Sequence, residues 1–399
     1  MSMLAPVSNR PLSLLSMLLL LLCAASAVAD AVGEVQSMSR AGLLLVEDGR
    51  PVIAHNANSP LVPASTMKVL TALAALETWG RGHRFATDFY LDASGWLWVK
   101  GLADPYLVSE ELDRVARGLA AAGVKRVAGI GLDDSYFDPD VEIAGRSSSD
   151  NPYDAPVTAL AANFNTVNLI KRGSTVRSAE PQTPLTATAR RFGAGGGAGK
   201  KRVNLRERGS AVVYFGELLG AKLAANGIRV GEGLRRGRVP RGAKRVYRHR
   251  NSRTLADIVA PTLKYSNNFV ANALFLGLAD PRGTGRVSMA AAQRAMTAFA
   301  RKRFGWSGFR IEDGAGLSRG NRLSPAQLVE VMQAFVPYSD LMPTQDGNPD
   351  VRAKTGTLRG VSCYAGYVRR GGDWAPFALM INQPVDYNLR RRVASALVR

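Results

Sequence analysis

Ser65 and Lys68 lie one helical turn apart in Ser65-Thr66-Met67-Lys68, a spacing that sets an ammonium group beside a hydroxyl. Serine alone is a weak nucleophile and needs a neighbouring base. A buried lysine near a second cation can serve, because desolvation and like charge both lower its pKa. Lys354, in Lys354-Thr355-Gly356, is a candidate for that second cation. A lysine and a hydroxyl (Thr355) at a strand start can also hold a carboxylate, and Gly356 leaves room for a substrate backbone. The next N–H, at Thr357, is a candidate oxyanion donor. Between the two groups lies Ser266-Asn267-Asn268. A hydroxyl at Ser266 can relay a proton between Lys68 and a leaving group. The Asn268 amide can orient Lys68 and bind a substrate carbonyl. Each group alone is weak evidence: S-x-x-K arises about once by chance in an ordinary chain of this length, Ser266 could be a helix cap or turn, and Lys354 could sit in an ordinary turn. In this order on one chain they supply nucleophile, base, relay and anion holder for acyl transfer.

The elements that must position these residues are legible in outline. Gly42 to Val46, the Asp48-Gly49 turn signal and Pro51 to His55 predict a hairpin. Pro63-Ala64-Ser65 opens an apolar helix to about Trp79, stopped at Gly80. Its many apolar residues leave little polar face and predict burial. Phe89 to Lys100 reads as short strands around a turn, Ser109 to Ala122 as a helix and Val127 to Leu132 as a strand. Residues 145–156, rich in Ser, Asp and Pro, read as loop. Gly193 to Gly199 is a flexible loop that lacks the residues of a phosphate-binding loop. Ser324-Pro325-Ala326-Gln327 is a capping box opening a helix into Phe335. Cys363 to Val368 and Phe377 to Asn382 alternate as strands, and Leu389, Val393, Ala396 and Leu397 line a closing helix.

Composition narrows the setting. Arg10, the apolar run Leu12 to Cys23 and Ala27-Val28-Ala29 form a secretory signal with a cleavage site before Asp30. The run is short for a membrane span. Cleavage removes Cys23 and leaves Cys363, which reads as a buried strand residue. The formal net charge of the 399-residue chain is +20, and Arg10 is the one charge in residues 1–29. Such a surface favours an electrostatic contact with anionic envelope polymers or a membrane surface; export argues against nucleic acid. Nine Arg and Lys fall within residues 235–253, where a solvated edge between domains is the plainer reading. Three scattered histidines give no metal site, and no cofactor is expected.

With these motifs the chain resembles the penicillin-binding D-alanyl-D-alanine carboxypeptidase/endopeptidase family, the low-molecular-mass class C (type 4) group. The likeness extends to Gly101-Leu102-Ala103-Asp104-Pro105-Tyr106-Leu107, with Ala103 for a usual Gly, to Asp133–Phe137, and to Asp154–Leu160 on to Asn165. It also covers Asp313-Gly314-Ala315-Gly316-Leu317-Ser318-Arg319, with Ala315 for a usual Ser. Ser266-Asn267-Asn268 replaces the family's common S-D-N. The resemblance implies an α+β fold: a transpeptidase/β-lactamase-like domain, an antiparallel sheet flanked by helices, with an inserted mixed α/β domain. The expected division is signal 1–29, catalytic 30–90 and 252–399, and insert 91–251; the chain has room for one insert rather than two. It implies an exported, periplasmic or secreted hydrolase that cleaves D-Ala-D-Ala in peptidoglycan stem peptides and is acylated by β-lactam antibiotics, with crosslink cleavage left open. Ser65, Lys68 and Ser266 would be catalytic. Asn268, Lys354, Thr355, Gly356 and Thr357 would bind substrate. A serine β-lactamase and a non-catalytic penicillin-binding wall-binding or sensor protein are the alternatives.

Overall fold

Asp48 and Gly49 both take positive φ, 51° and 74°, as a tight hairpin turn requires. They fold Ala41–Glu47 back on Arg50–His55. The computed structural model describes residues 31–398; the expected leader lies outside them. The hairpin forms one edge of a six-stranded sheet. The order is Thr344–Gln345, Asn348–Leu358, Val361–Arg370, Asp373–Ile381, Ala41–Glu47, Arg50–His55, and every neighbouring pair is antiparallel. The chain's two ends therefore meet in one sheet, with Leu43 opposite Leu379.

This sheet is covered on both faces, which explains its nearly continuous apolar strands. Side chains alternate along a strand. Leu44, Val46, Cys363, Ala365, Ala378 and Met380 join one core, packed against helices Met67–Trp79, Leu255–Tyr265, Asn268–Gly277 and Pro325–Phe335. Leu43, Leu45, Tyr364, Phe377 and Leu379 join a second core under the closing helix Leu389–Leu397. The expected capping box forms: Ser324 Oγ accepts from Gln327 N at 3.1 Å, and Gln327 Oε1 accepts from Ser324 N at 2.9 Å.

Residues 86–250 build their own sheets around a third core. A five-stranded mixed sheet runs Leu234–Arg236, Gly129–Asp133, Trp96–Lys100, Ala86–Leu91, Lys244–Arg250. Phe89, Leu97, Val99, Ile130 and Leu132 pack beneath helices Ser109–Ala121 and Arg208–Ala225. A three-stranded antiparallel sheet, Thr175–Ser178, Thr166–Arg172 and Gly199–Asn204, lies alongside. The whole is a mixed α+β fold with antiparallel sheets and helices. Among the described residues no helix is long and apolar enough to cross a membrane.

Three local expectations need correction. Lys354-Thr355-Gly356 lies inside the strand Asn348–Leu358, not at its start, because pairing with Val361–Arg370 extends to Val351↔Val368. The Gly193–Gly199 stretch is only partly loop: helix Ala187–Ala194 runs into it, and Gly199 begins a strand paired with Lys171. In the closing helix Ala394, not Ala396, is buried with Leu389, Val393 and Leu397, since a shallow helix buries residues at i, i+4, i+5 and i+8.

One side chain ties the sheet to the turn before Ser65. Asn382, at the end of strand Asp373–Ile381, accepts from Val62 N at 2.7 Å and donates to Val62 O at 3.1 Å. Both bonds are buried, and losing the amide orphans Val62 N and leaves Val62 O only the Cys363 thiol as donor, at 3.4 Å. Asn382→Ala should lower unfolding free energy by about 2–3 kcal/mol, read as a lower urea midpoint with unchanged slope; a midpoint within experimental error of wild type would refute the brace.

Candidate active site

The turn carrying Ser65 is strained and tightly held. Ala64 takes φ 46°, a left-handed conformation that costs a non-glycine residue roughly 1–2 kcal/mol. The Thr66 hydroxyl and amide both donate to Pro63 O, at 2.6 and 3.3 Å. Ala64 and Thr66 are buried, whereas Ser65 between them is partly exposed. The turn runs into helix Met67–Trp79, whose second residue is Lys68.

Lys68 is 1% exposed. Its Nζ lies 2.9 Å from Ser65 Oγ, 2.7 Å from Asn268 Oδ1 and 2.8 Å from Ala315 O. Burial, and then the charge of Lys354, lower its pKa well below the ordinary lysine value; Asp313 pulls the other way. A neutral amine has two hydrogens and one lone pair. Nζ is within donating distance of all three oxygens; in the free-base form two hydrogens would serve Asn268 and Ala315, and the lone pair would be left to accept the Ser65 hydroxyl hydrogen.

Asn268 reaches this point from a helix junction, while Ser266 makes no hydrogen bond to Lys68 or Ser65 among the described residues. Helix Leu255–Tyr265 ends at Ser266, whose φ of 56° and ψ of 43° turn the chain sharply. Asn267 then caps the next helix, its side chain accepting from Val270 N at 3.1 Å. Asn268 is the first residue of that helix, and its Nδ2 donates to Tyr153 O at 3.0 Å. Its amide is thereby oriented with Oδ1 toward Lys68. Ser266 stands two residues earlier, partly exposed at the left-handed cap.

The strand Asn348–Leu358 brings the last group. A Cβ on Gly356 would lie 2.7 Å from Pro63 O and 3.2 Å from the Ala64 Cβ. The glycine is thus required by the nucleophile turn packed against it, a closer constraint than the substrate backbone. Lys354 is 1% exposed and donates to Thr355 O at 2.7 Å. Burial and the nearby Arg390 push its pKa down to about 7. Cys363, on the next strand, is buried with its thiol pushed up to about 12, so it has no nucleophilic character near neutrality.

Sequence reasoning gave no site role to the loop after Ile311, and counted Arg390 only with Arg391 and Arg392 in the basic surface. Asp313 is fully buried. It accepts from Ala315 N, Leu317 N and Ser318 N at 3.0–3.1 Å and from Asn321 Nδ2 at 2.7 Å. Asn272 Oδ1 accepts from Gly314 N and Ala315 N, at 2.8 and 3.1 Å. Together they aim the Ala315 carbonyl at Lys68. Gly316, at φ 77°, lies so close to the Ala64 carbonyl that a Cβ would overlap it. The Asp-Gly pair was the available signal, since Asp caps its own following amides in turns. Arg390, on the closing helix, donates to Thr357 Oγ1 at 2.6 Å and to Gly356 O at 3.1 Å; nothing in its sequence neighbourhood points to the strand.

The comparisons agree with this architecture. Residues 25–192 and 193–349 match the D-Ala-D-Ala carboxypeptidase 3 (S13) family. The chain belongs to that family. A D-alanyl-D-alanine carboxypeptidase from Actinomadura sp. (strain R39) is 26% identical over 418 residues, covering 85% of this chain and 77% of that protein. Penicillin-binding protein 4 from Haemophilus influenzae has a similar fold, with a TM-score of 0.74 at 20% identity over 90% of this chain and 94% of that one. A predatory endopeptidase from Bdellovibrio bacteriovorus, solved with an immunity protein, gives 0.53 at 15% identity over 89% and 90%.

As a member of the S13 carboxypeptidase family the chain is a hydrolase, and its departures from the usual motifs have physical explanations. Ala103 adopts φ 61°, the conformation that a usual glycine accepts freely. Ala315 acts through its backbone carbonyl and amide, so the usual serine side chain is not needed for the contact with Lys68. Asn267 replaces Asp at an N-cap, where the two are nearly equivalent. Asn267→Asp should therefore retain wild-type stability, whereas Asn267→Ala should lose about 1 kcal/mol of stability. Thermal unfolding of both variants reads this, and an Asp variant as unstable as the Ala one would contradict the capping role.

Proposed function

We propose that this S13 family member is an exported serine D-Ala-D-Ala carboxypeptidase that cleaves peptidoglycan stem peptides through an acyl-enzyme on Ser65. The observation that carries this reading is the buried Lys68 Nζ, 2.9 Å from Ser65 Oγ with its two other polar contacts both acceptors. In the proposed reaction Ser65 Oγ attacks the penultimate D-Ala carbonyl as its proton passes to Lys68. The Thr357 N–H stabilises the oxyanion, and Asn268 orients Lys68 and contacts a substrate carbonyl. Ser266 relays the proton to the departing D-Ala amine, and water then hydrolyses the ester. Thr355, with Lys354 behind it and Gly356 giving access, holds the terminal carboxylate. The same chemistry would open D-Ala-to-diamino-acid crosslinks. A structure of the Haemophilus protein was solved with a β-lactam, and covalent inhibition by β-lactams is part of the proposal here. Mass spectrometry of purified stem peptides and crosslinked muropeptides after incubation with the protein is the direct test: loss of one D-Ala supports the reading, and unchanged peptides refute it.

The division into a catalytic unit and an insert is also proposed. The insert, expected at 91–251, would begin a few residues earlier, because Ala86–Leu91 pairs with Trp96–Lys100 and Lys244–Arg250 rather than with the six-stranded sheet. Cleavage of the leader would deliver the enzyme to the periplasm or the exterior.

Lys68→Ala should slow acylation by a penicillin about 10²–10⁴-fold, and Ser65→Ala should abolish the adduct seen by intact mass. Because the folded pKa of Lys68 is lowered, its free-base form appears at lower pH than in an ordinary lysine. The wild-type acylation rate should therefore rise with pH along an acid limb well below 10.5, and a rate that rises only near the ordinary lysine value would remove Lys68 as the base.

The basic surface is proposed to hold the enzyme to anionic envelope material. Lys100, Arg238 and Arg286 line a cavity of about 450 Å³, and Arg248, Arg250 and Arg282 line another of about 390 Å³. Both include Tyr136. Asp133 there already accepts from Ser135 N and Val239 N. The side chains of Lys100, Arg238, Arg250 and Arg282 have no hydrogen-bond or ion-pair partner among the described residues. Exposed attraction is screened with a Debye length near 10 Å at about 0.1 M salt. Retention on isolated cell wall should fall steeply with salt, while turnover of a small D-Ala-D-Ala peptide changes little. Salt-independent retention would count against the electrostatic reading.

A further inference from the structure

We propose that Arg390 is the cation that selects substrates ending in a free carboxylate, a specificity-determining residue for the acyl transfer proposed above and dependent on that reading.

The sequence assigns carboxylate binding to Lys354. The structure makes Lys354 a poor candidate for direct contact, because it is 1% exposed and tied to its own strand at Thr355 O. Arg390 approaches the same strand one turn of pleat further on. Its Nη1 donates to Thr357 Oγ1 at 2.6 Å and to Gly356 O at 3.1 Å. A guanidinium donates and never accepts. Thr357 Oγ1 must therefore be the acceptor, and its own hydrogen is free to point elsewhere. The side chain of Thr357 is exposed, so that hydrogen is available to a ligand. A hydroxyl that accepts from a cation is a stronger donor, since hydrogen bonds in a chain polarise one another.

Charge accounting points the same way. Arg390 is partly buried, and its Nε is shielded from solvent with no hydrogen-bond partner. Neither Arg390 nor Lys354 has a carboxylate within 4.0 Å among the described residues; the neighbouring Arg392 by contrast pairs with Glu34. Arg391 adds more positive charge, and burial together with Arg391 makes the Arg390 cation less favourable than usual. A partly desolvated guanidinium without an acid beside it is costly unless an anion joins it. A planar guanidinium beside a hydroxyl matches the terminal carboxylate of a peptide in charge and geometry. The location also fits, because Thr357 is the residue whose N–H is proposed to face the oxyanion one peptide unit from that carboxylate.

The test compares an N-acetylated tripeptide ending in D-Ala-D-Ala with its C-terminal carboxamide. For Arg390→Gln, kcat/KM on the acid should fall about ten- to hundredfold, mainly through KM, the range expected on losing a charge-assisted contact. The carboxamide should change less than about twofold, so the acid-over-amide preference collapses. Arg390→Lys should restore part of the preference. An unchanged preference in Arg390→Gln, or an equal loss on both peptides with a lowered Tm, would overturn the proposal and leave Arg390 as a brace between helix and strand. Calorimetric binding of the two peptides to Ser65→Ala, with and without Arg390→Gln, reads the carboxylate preference without turnover. Preferential acid binding that Arg390→Gln erases supports Arg390 even if the wild type releases no D-Ala, an outcome that would instead refute the proposed reaction. Equal binding of acid and amide to Ser65→Ala would refute Arg390 as the selector.

Discussion

The site depends on keeping one ammonium-bearing side chain out of water. Lys68 is almost wholly buried, and a charged lysine is expensive there. The surroundings resolve the cost by favouring the neutral amine, with two acceptors for its hydrogens and one hydroxyl for its lone pair. Every other feature of the site follows from holding those three oxygens in place. A carboxylate beside Nζ would have favoured the charged ammonium instead. The acid that is nearby, Asp313, is instead occupied by four donors of its own loop.

Three chain segments far apart in sequence have to meet at atomic distance around Lys68, and small residues are placed where they do. Gly356 allows strand Asn348–Leu358 to lie on the Pro63 carbonyl, and Gly316 allows the Asp313 loop to lie on the Ala64 carbonyl. The backbone bears strain at the same places. Ala64 and Ser266 are both non-glycine residues at positive φ; Ala64 precedes Ser65, and Ser266 lies two residues before Asn268. Strain of this kind persists where the surroundings over-determine the conformation. Here the buried Asn382–Val62 pair and the Pro63–Thr66 turn do so. The positive charge of Lys354 completes the arrangement from behind, and Arg390 lowers the pKa of Lys354 in turn. The result is a short series of cations in which each makes protonation of the next less favourable.

The second group of sheets contributes in a different way. Its Tyr153 carbonyl accepts from the Asn268 amide, so a segment outside the six-stranded sheet fixes which end of that amide faces Lys68. Its outer cations carry much of the chain's excess charge, away from Lys68. Separating the two charge populations lets the surface be strongly basic while burial disfavours protonation at Lys68.

The chain's own order of residues determined the motifs, the hairpin with its Asp48-Gly49 turn, the buried helix after Ser65 and the capping box at Ser324. These are set by neighbours within a few residues, and local patterning records them faithfully. The pairing of Lys68 with Ser65 belongs to the same class, because helical spacing alone brings them together. What tertiary structure decided is everything that needs a partner far along the chain. No local pattern marks that Lys354-Thr355-Gly356 lies in mid-strand, that Gly356 makes room for Pro63, or that the Ala315 carbonyl rather than its side chain meets Lys68. The same holds for Arg390. On a basic helix it reads as one of three arginines in a row, Arg390-Arg391-Arg392. Only the packing of that helix against the last sheet face singles it out, because helix phase and sheet register together decide which of three like charges reaches Thr357.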